Sequence, residues 1–161
     1  VLRYDKLGWR AAEATQLSTV VASGALGAIE EIDLRYNELG DDGLASLAEV
    51  LIASPQPLLP RLQRLRLGYN KIGDAGLAAL SQAISECPAA LLPRLKTLEL
   101  DRNVISDGAM TDLAKALNER PEALSSIESI DLGGNTGDGG PGSAQVGMCV
   151  ERQEQRRRTS V

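Results

Sequence analysis

The sequence predicts an α/β solenoid, a right-handed superhelix in which parallel strands line a concave face and helices cover the convex face. Three observations predict this fold class. A short phrase recurs every 32 or 33 residues, leucines alternate with polar residues inside the phrase, and a helical stripe of apolar residues follows it. A unit of this length does not bury a core alone, so neighbouring copies are expected to stack and share one.

Each copy of the phrase carries a polar anchor residue. In chain order the copies read LRYDKLG, LRYNELG, LGYNKIG, LDRNVIS and LGGNTGD. Their anchors are Asp5, Asn37, Asn70, Asn103 and Asn135, which are 32, 33, 33 and 32 residues apart. Extended backwards, the four later copies follow the pattern LxxLxLxxN with Ile at some Leu positions. The LxL alternation predicts a strand, and the asparagine amides are predicted to bond backbone groups in one structural column.

A helical pattern follows the anchor in three copies. In the first of these, Leu44, Leu47 and Leu51 lie three and four residues apart, which places them on one side of a helix. An aspartate precedes each helix, where its carboxylate is expected to cap the exposed amides of the helix start. These aspartates are Asp41, Asp74 and Asp107.

The repeated pattern resembles the ribonuclease-inhibitor-like class of leucine-rich repeats, LxxLxLxxNxLxDxGxxxLxxxL. The resemblance covers residues 1–137 and implies one leucine-rich-repeat domain of about four repeats. The repeats depart from the usual length of about 20 to 29 residues, and the excess is predicted to form longer loops between helix and strand. Because a strand pattern already occupies residue 2, we expect the chain to be a fragment of a longer array.

The residues after the last anchor change composition. The stretch GGNTGDGGPGSAQVG is rich in glycine, whose ordering entropy opposes another helix. Residues 138–161 are therefore predicted to form a disordered tail, first glycine-rich and then basic.

Composition excludes several classes of function. A formal charge of −5 and a pI near 4.8 argue against a nucleic-acid binder. The chain has no histidine, so the commonest general base and metal ligand are missing, and Asp41 beside Asp42 is better explained as a helix cap than as a catalytic pair. Cys87 and Cys149 form no metal motif or disulfide framework, and no run of 18 apolar residues indicates a membrane span. We therefore expect no enzyme activity, catalytic residue, cofactor, metal, membrane partner or small-molecule substrate, and an intracellular (cytoplasmic) location.

Alignment on the anchors predicts one column of exposed side chains that holds every tyrosine in the chain. The column is Tyr4, Tyr36, Tyr69, Arg102 and Gly134. Adjacent strands lie about 4.8 Å apart, so the rings are predicted to contact each other, with Arg102 over the last. Tyrosine and arginine are enriched at binding hot spots. The alternative is that the tyrosines only cover the corner where each strand ends.

Two further columns are predicted to carry charge on the concave face. One is Asp33, Arg66, Glu99 and Asp131, and the other is Arg3, Arg35, Gly68 and Asp101. Arg35, Arg66, Glu99 and Asp101 are candidate partner-binding residues together with the tyrosine column. The alternative is a solvated surface whose opposite charges satisfy one another across the strands.

The resemblance implies a scaffold that binds a protein partner through its concave face, and this step depends on fold analogy. The same repeat type occurs in Ran GTPase-activating proteins, so an alternative is a regulator of a small GTPase. A third hypothesis is a purely structural segment of a longer repeat array.

Overall fold

The computed structural model describes residues 1–87 and 90–159. Within these ranges five strands alternate with five helices along the chain. The strands are β1 (Leu2–Arg3), β2 (Glu31–Asp33), β3 (Arg64–Arg66), β4 (Thr97–Glu99) and β5 (Ser129–Asp131). The helices are α1 (Ala11–Ala22), α2 (Gly40–Ala53), α3 (Asp74–Glu86), α4 (Asp107–Glu119) and α5 (Pro141–Thr159).

The strands form one parallel sheet in chain order, β1-β2-β3-β4-β5. Its register places Ile32, Leu65, Leu98 and Ile130 side by side. Each helix packs against the helices of the neighbouring repeats. The predicted α/β solenoid is therefore confirmed.

The core lies between the sheet and the helices and is built from small branched side chains. Leu34, Leu67 and Leu100 are each at most 2% exposed, and Leu77 and Leu113 from the helices are fully buried. Burying one such side chain contributes roughly 1.5–3 kcal/mol. Since the buried residues form one continuous cluster, each repeat depends on its neighbours for much of its core.

A column of buried asparagines joins the repeats where the strands end. Asn37, Asn70, Asn103 and Asn135 are each at most 8% exposed. The Nδ2 group of Asn103 donates to the carbonyls of Leu67 and Leu100, which lie in two adjacent repeats. Each asparagine thus satisfies backbone groups that water does not reach.

The aspartates at the helix starts link successive helices. Asp41 Oδ1 accepts from the N–H groups of Gly73 and Gly76, at the start of α3. Asp74 accepts from the backbone and hydroxyl of Ser106, the residue before α4, and the Ser106 bonds lower the pKa of Asp74. Asp41 and Asp74 therefore cap the helix of the following repeat and not their own helix as predicted, because each side chain points along the stack.

The register of the first repeat differs from the anchor alignment. Leu2 pairs with Ile32 and Arg3 with Asp33, a separation of 30 residues, whereas the anchors are 32 apart. Asp5 is therefore not equivalent to Asn37. The N–H of Leu7 instead donates to Asn37 Oδ1, as the N–H of Asn70 donates to Asn103.

Helix α5 replaces most of the tail that was predicted to be disordered. Val146, Cys149 and Val150 are buried against α4, and Asp107 Oδ1 accepts from the N–H of Gly142. The prediction of disorder is wrong here because burial against α4 offsets the ordering entropy of the glycines. The last two residues of the predicted tail, 160 and 161, lie outside the described residues.

Candidate binding surface

Four exposed side chains form a ladder where the strands end, and we call Lys6, Tyr36, Tyr69 and Arg102 the rim ladder. The Tyr36 and Tyr69 rings stack with their centroids 4.4 Å apart and their planes 21° from parallel. Lys6 Nζ lies 5.3 Å from the Tyr36 centroid, and Arg102 Cζ lies 5.4 Å from the Tyr69 centroid. Both distances are within the range of a cation–π interaction.

Tyr4 is not in the ladder, so its predicted position is wrong. Its N–H donates to the Asp33 carbonyl, as the N–H of Leu34 donates to Arg66, so Tyr4 is equivalent to Leu34. The Tyr4 ring is half-buried and stacks on Trp9 at 4.5 Å. Lys6 takes the ladder position because the first repeat is two residues shorter than the anchors indicate.

The backbone of the rim ladder is left-handed at every position. The φ angles of Lys6, Tyr36, Tyr69 and Arg102 lie between 52° and 59°. This conformation costs a residue with a Cβ roughly 1–2 kcal/mol, whereas glycine adopts it freely. The last repeat has Gly134 at the equivalent position, with φ of 72°. The left-handed conformation at this corner therefore recurs in every repeat, whether the residue is glycine or carries a side chain.

A groove of about 600 Å³ runs beside the ladder. Besides ladder residues, its walls include Arg10, Glu38, Lys71 and Val104. Glu38 accepts a hydrogen bond from Lys71 at 2.7 Å and lies 3.4 Å from Arg10, and the Lys71 bond lowers the pKa of Glu38. Glu38 therefore remains ionised and pairs with two of the cations on this edge.

The concave floor next to the ladder carries a network of paired charges. Arg35 binds Asp33 through two hydrogen bonds, and these bonds raise the pKa of Arg35. Burial raises the pKa of Asp33, but the hydrogen bonds from Arg35 and the charge of Arg66 outweigh this effect. The pKa of Asp33 therefore lies below its usual value. Arg66 Nε lies 3.1 Å from a Glu99 oxygen, an ion pair without hydrogen-bond alignment. Glu31 also lies 3.3 Å from Arg66.

The remaining charged positions follow the strand register. Arg3 lies beside Asp33, not beside Arg35 as the anchor alignment predicted. Asp101 covers Gly68, because a Cβ built at Gly68 would lie 2.3 Å from Asp101 Oδ1. The predicted floor residues Arg35, Arg66 and Glu99 thus lie in one network, and Asp101 lies at its edge.

The sequence analysis did not identify four residues of this edge: Lys6, Glu38, Lys71 and Val104. Aligning Leu2 with Ile32, instead of Asp5 with Asn37, would have placed Lys6 at the position of Tyr36. Lys71 and Glu38 follow Asn70 and Asn37 directly and are equivalent between repeats. Val104, which is 56% exposed, follows Asn103 directly and takes the same position in the next repeat.

Other kinds of site are not visible in the described part of the chain. Among residues 1–87 and 90–159 no group of three acidic or cysteine side chains is placed to hold a metal ion. No helix in these ranges is long and apolar enough to cross a membrane. Cys87 and Cys149 are buried free thiols, and burial raises the pKa of each, so neither is an activated nucleophile.

Comparisons with known proteins agree with this architecture. A family model described as a leucine-rich repeat matches residues 29–48 and 60–81. The solved structure of actin-binding site 2 of leiomodin-1 is similar, with a TM-score of 0.75 and 14% sequence identity. The alignment covers 99% of this chain and 83% of the leiomodin-1 chain. The tropomodulin C-terminal domain of Caenorhabditis elegans is also similar, with a TM-score of 0.59 and 13% sequence identity. That alignment covers 92% of this chain and 97% of the tropomodulin domain. No curated protein sequence matches the chain.

The repeat match and the sheet topology together define the fold class: residues 29–48 and 60–81 match a leucine-rich-repeat model, and the chain folds as an α/β leucine-rich-repeat solenoid. Both structural relatives share this fold at low identity. They give no support to a Ran GTPase-activating role, so that hypothesis is set aside.

Proposed function

We propose that this chain is a protein-binding scaffold, not an enzyme, and that the rim ladder with its groove is the principal contact surface. The observation that carries the proposal is the stacked Tyr36–Tyr69 pair. The two side chains are 45% and 36% exposed, although large aromatic groups gain free energy on burial. Rigid, exposed aromatic rings beside cations are the composition of binding hot spots.

Backbone strain supports a role beyond covering the strand ends. Glycine would relieve the left-handed conformation at Tyr36 and Tyr69, as Gly134 does in the last repeat. A side chain that only covered the corner would not need to be a ring held under strain in two successive repeats. Partner contact provides a reason to keep both rings.

The concave floor has a secondary role in the proposal. Arg35, Arg66 and Glu99 already pair with neighbouring charges, so a partner would have to replace these interactions. Asp101 also lies close to the chain's own backbone at Gly68. These residues therefore contribute to selectivity more than to affinity.

The repeat subfamily, the cellular compartment and the first candidate partner are also proposals. The recurring pattern LxxLxLxxN, followed by an aspartate and a helix, supports assignment to the ribonuclease-inhibitor-like subfamily. The two free thiols support a reducing intracellular compartment. The name of the leiomodin structure describes an actin-binding site, which makes monomeric actin the first defined partner to test.

The proposal is tested by affinity capture with the double variant Tyr36→Asn/Tyr69→Asn. Asparagine removes the rings but tolerates the left-handed backbone better than other residues. Purified protein is immobilised and exposed to a cell extract and, separately, to monomeric actin, and captured proteins are quantified by mass spectrometry. We expect the double variant to capture at least about tenfold less partner than the unmodified chain, equivalent to about 1.4 kcal/mol of binding free energy. Its circular dichroism spectrum should be unchanged.

The matched control is Val20→Thr/Met148→Gln, which alters two exposed apolar side chains away from the ladder. We expect this control to capture as much partner as the unmodified chain. Equal capture by the ladder variant and the unmodified chain would refute the ladder as the contact surface.

A further inference from the structure

We infer that the rim ladder binds an extended peptide segment of its partner that carries acidic residues at positions i and i+4 and an apolar residue at i+2. This inference rests on the proposed function and specifies the chemistry of the partner. It follows from the charge, the dimensions and the exposed apolar surface of the ladder.

The charge of this edge is positive although the whole chain is acidic. Arg10 and Lys71 share Glu38 as their acidic partner. Lys6 and Arg102, at the two ends of the ladder, make no ion pair among residues 1–87 and 90–159 and contact tyrosine rings instead. A ligand therefore finds two cations, one at each end, that pair with no carboxylate of the described residues.

The spacing of these cations matches an extended peptide. Lys6 Nζ lies 5.3 Å from the Tyr36 ring centroid, and the Tyr36 and Tyr69 centroids are 4.4 Å apart. The Tyr69 centroid lies 5.4 Å from Arg102 Cζ. An extended chain rises about 3.3 Å per residue, and its alternate side chains point the same way. Residues i and i+4 are then about 13 Å apart on one side, which suits carboxylates that reach the two ends of the ladder.

The middle of the ladder offers apolar contact. The edges of the Tyr36 and Tyr69 rings and the 56% exposed side chain of Val104 line the same groove. The side chain at i+2 of the peptide would lie here, between the two acidic positions. Its burial supplies affinity, whereas the flanking charges fix direction and spacing.

A single-stranded nucleic acid is disfavoured by the faces of the rings. Bases bind to exposed aromatic faces, but the inner faces of Tyr36 and Tyr69 stack on each other and Lys6 and Arg102 lie over the outer ones. No face is left open for a base.

The test measures fluorescence anisotropy of labelled peptides with the full chain. The matched probe is Gly-Glu-Ser-Leu-Ser-Glu-Gly. The spacing control is Gly-Glu-Glu-Leu-Ser-Ser-Gly, which has the same composition, and the charge control carries lysine at both glutamate positions. We expect the matched probe to bind about tenfold more tightly than the spacing control, to weaken as ionic strength rises, and the lysine probe not to bind.

Protein variants locate the site. Lys6→Gln and Arg102→Gln should each weaken the matched probe up to about fivefold, the upper range for one exposed ion pair. Lys115→Gln, which removes an exposed charge from α4, should leave it unchanged. Equal binding of all three probes, or ladder-dependent binding of oligothymidine in place of peptide, would overturn the inference. If the matched probe fails while capture of a partner still depends on Tyr36 and Tyr69, the peptide chemistry is wrong and the proposed function stands.

Discussion

Replacing Asn103 by alanine is expected to lower the free energy of unfolding by about 3–4 kcal/mol. The side chain accepts from the N–H groups of Asn70 and Ile72 at 2.9 and 3.0 Å. It also donates to the carbonyls of Leu67 and Leu100 at 3.1 and 3.0 Å. The asparagine is 6% exposed, so water does not replace these bonds in the intact stack. The measurement is urea unfolding followed by circular dichroism.

Asn118→Ala provides the control for Asn103→Ala. Asn118 is exposed on α4, where it accepts a hydrogen bond from Arg152 and its side chain also bonds to the Cys149 thiol. We expect its loss to change stability by no more than about 0.5 kcal/mol, as for most surface substitutions. A loss of less than about 1 kcal/mol for Asn103→Ala would show that the buried column does not hold the repeats together.

Replacing Gly137 by alanine is expected to loosen the last repeat and to cost about 2–3 kcal/mol. A Cβ at this position would lie 2.2 Å from the Asp107 nitrogen and 2.5 Å from the Ser106 carbonyl carbon. Both atoms belong to the backbone at the start of α4, which does not rotate away as a flexible side chain would. Urea unfolding measures the loss, and trypsin cleavage near Arg156 to Arg158 reports release of α5.

Gly147→Ala makes the same chemical change within α5 without the steric conflict. No atom lies within 4 Å of a Cβ built at Gly147. Alanine favours a helix over glycine by about 1 kcal/mol, so this variant should be more stable and more resistant to trypsin. If Gly137→Ala is as stable as the unmodified chain, the close approach between the last two repeats is not present.

The sheet and its register between repeats were predictable wherever the repeat is regular. Leu34, Leu67 and Leu100 align because each occupies the same place in LxxLxLxxN, and a slip would expose the whole apolar face. The stacking of Tyr36 on Tyr69 follows from the same spacing. The sequence therefore contains the central part of the candidate site, although its role in binding remains a prediction.

The first repeat was not predictable from its polar anchor. Asp5 resembles an anchor, but the bonds made by Leu7 and Trp9 to Asn37 Oδ1 show that backbone N–H groups alone satisfy the column there. As a result Tyr4 was assigned to the ladder and Lys6 was overlooked.

Helix α5 and the direction of the aspartate caps depend on contacts between repeats. The stretch before α5 and the first turn of α5 are unfavourable by local propensity, and their glycines become useful only where α4 approaches closely, as at Gly137 and Gly142. Likewise, nothing in the local sequence around Asp41 shows that its carboxylate caps α3 and not α2. Tertiary packing decides both features.

The most direct test of the rim ladder is a proton nuclear Overhauser spectrum of the aromatic region. The chain has three tyrosines, one tryptophan and no phenylalanine, so its aromatic rings are readily distinguished. We expect cross-peaks between the rings of Tyr36 and Tyr69 and between those of Tyr4 and Trp9. Cross-peaks between Tyr4 and Tyr36, without any between Tyr36 and Tyr69, would contradict the rim ladder.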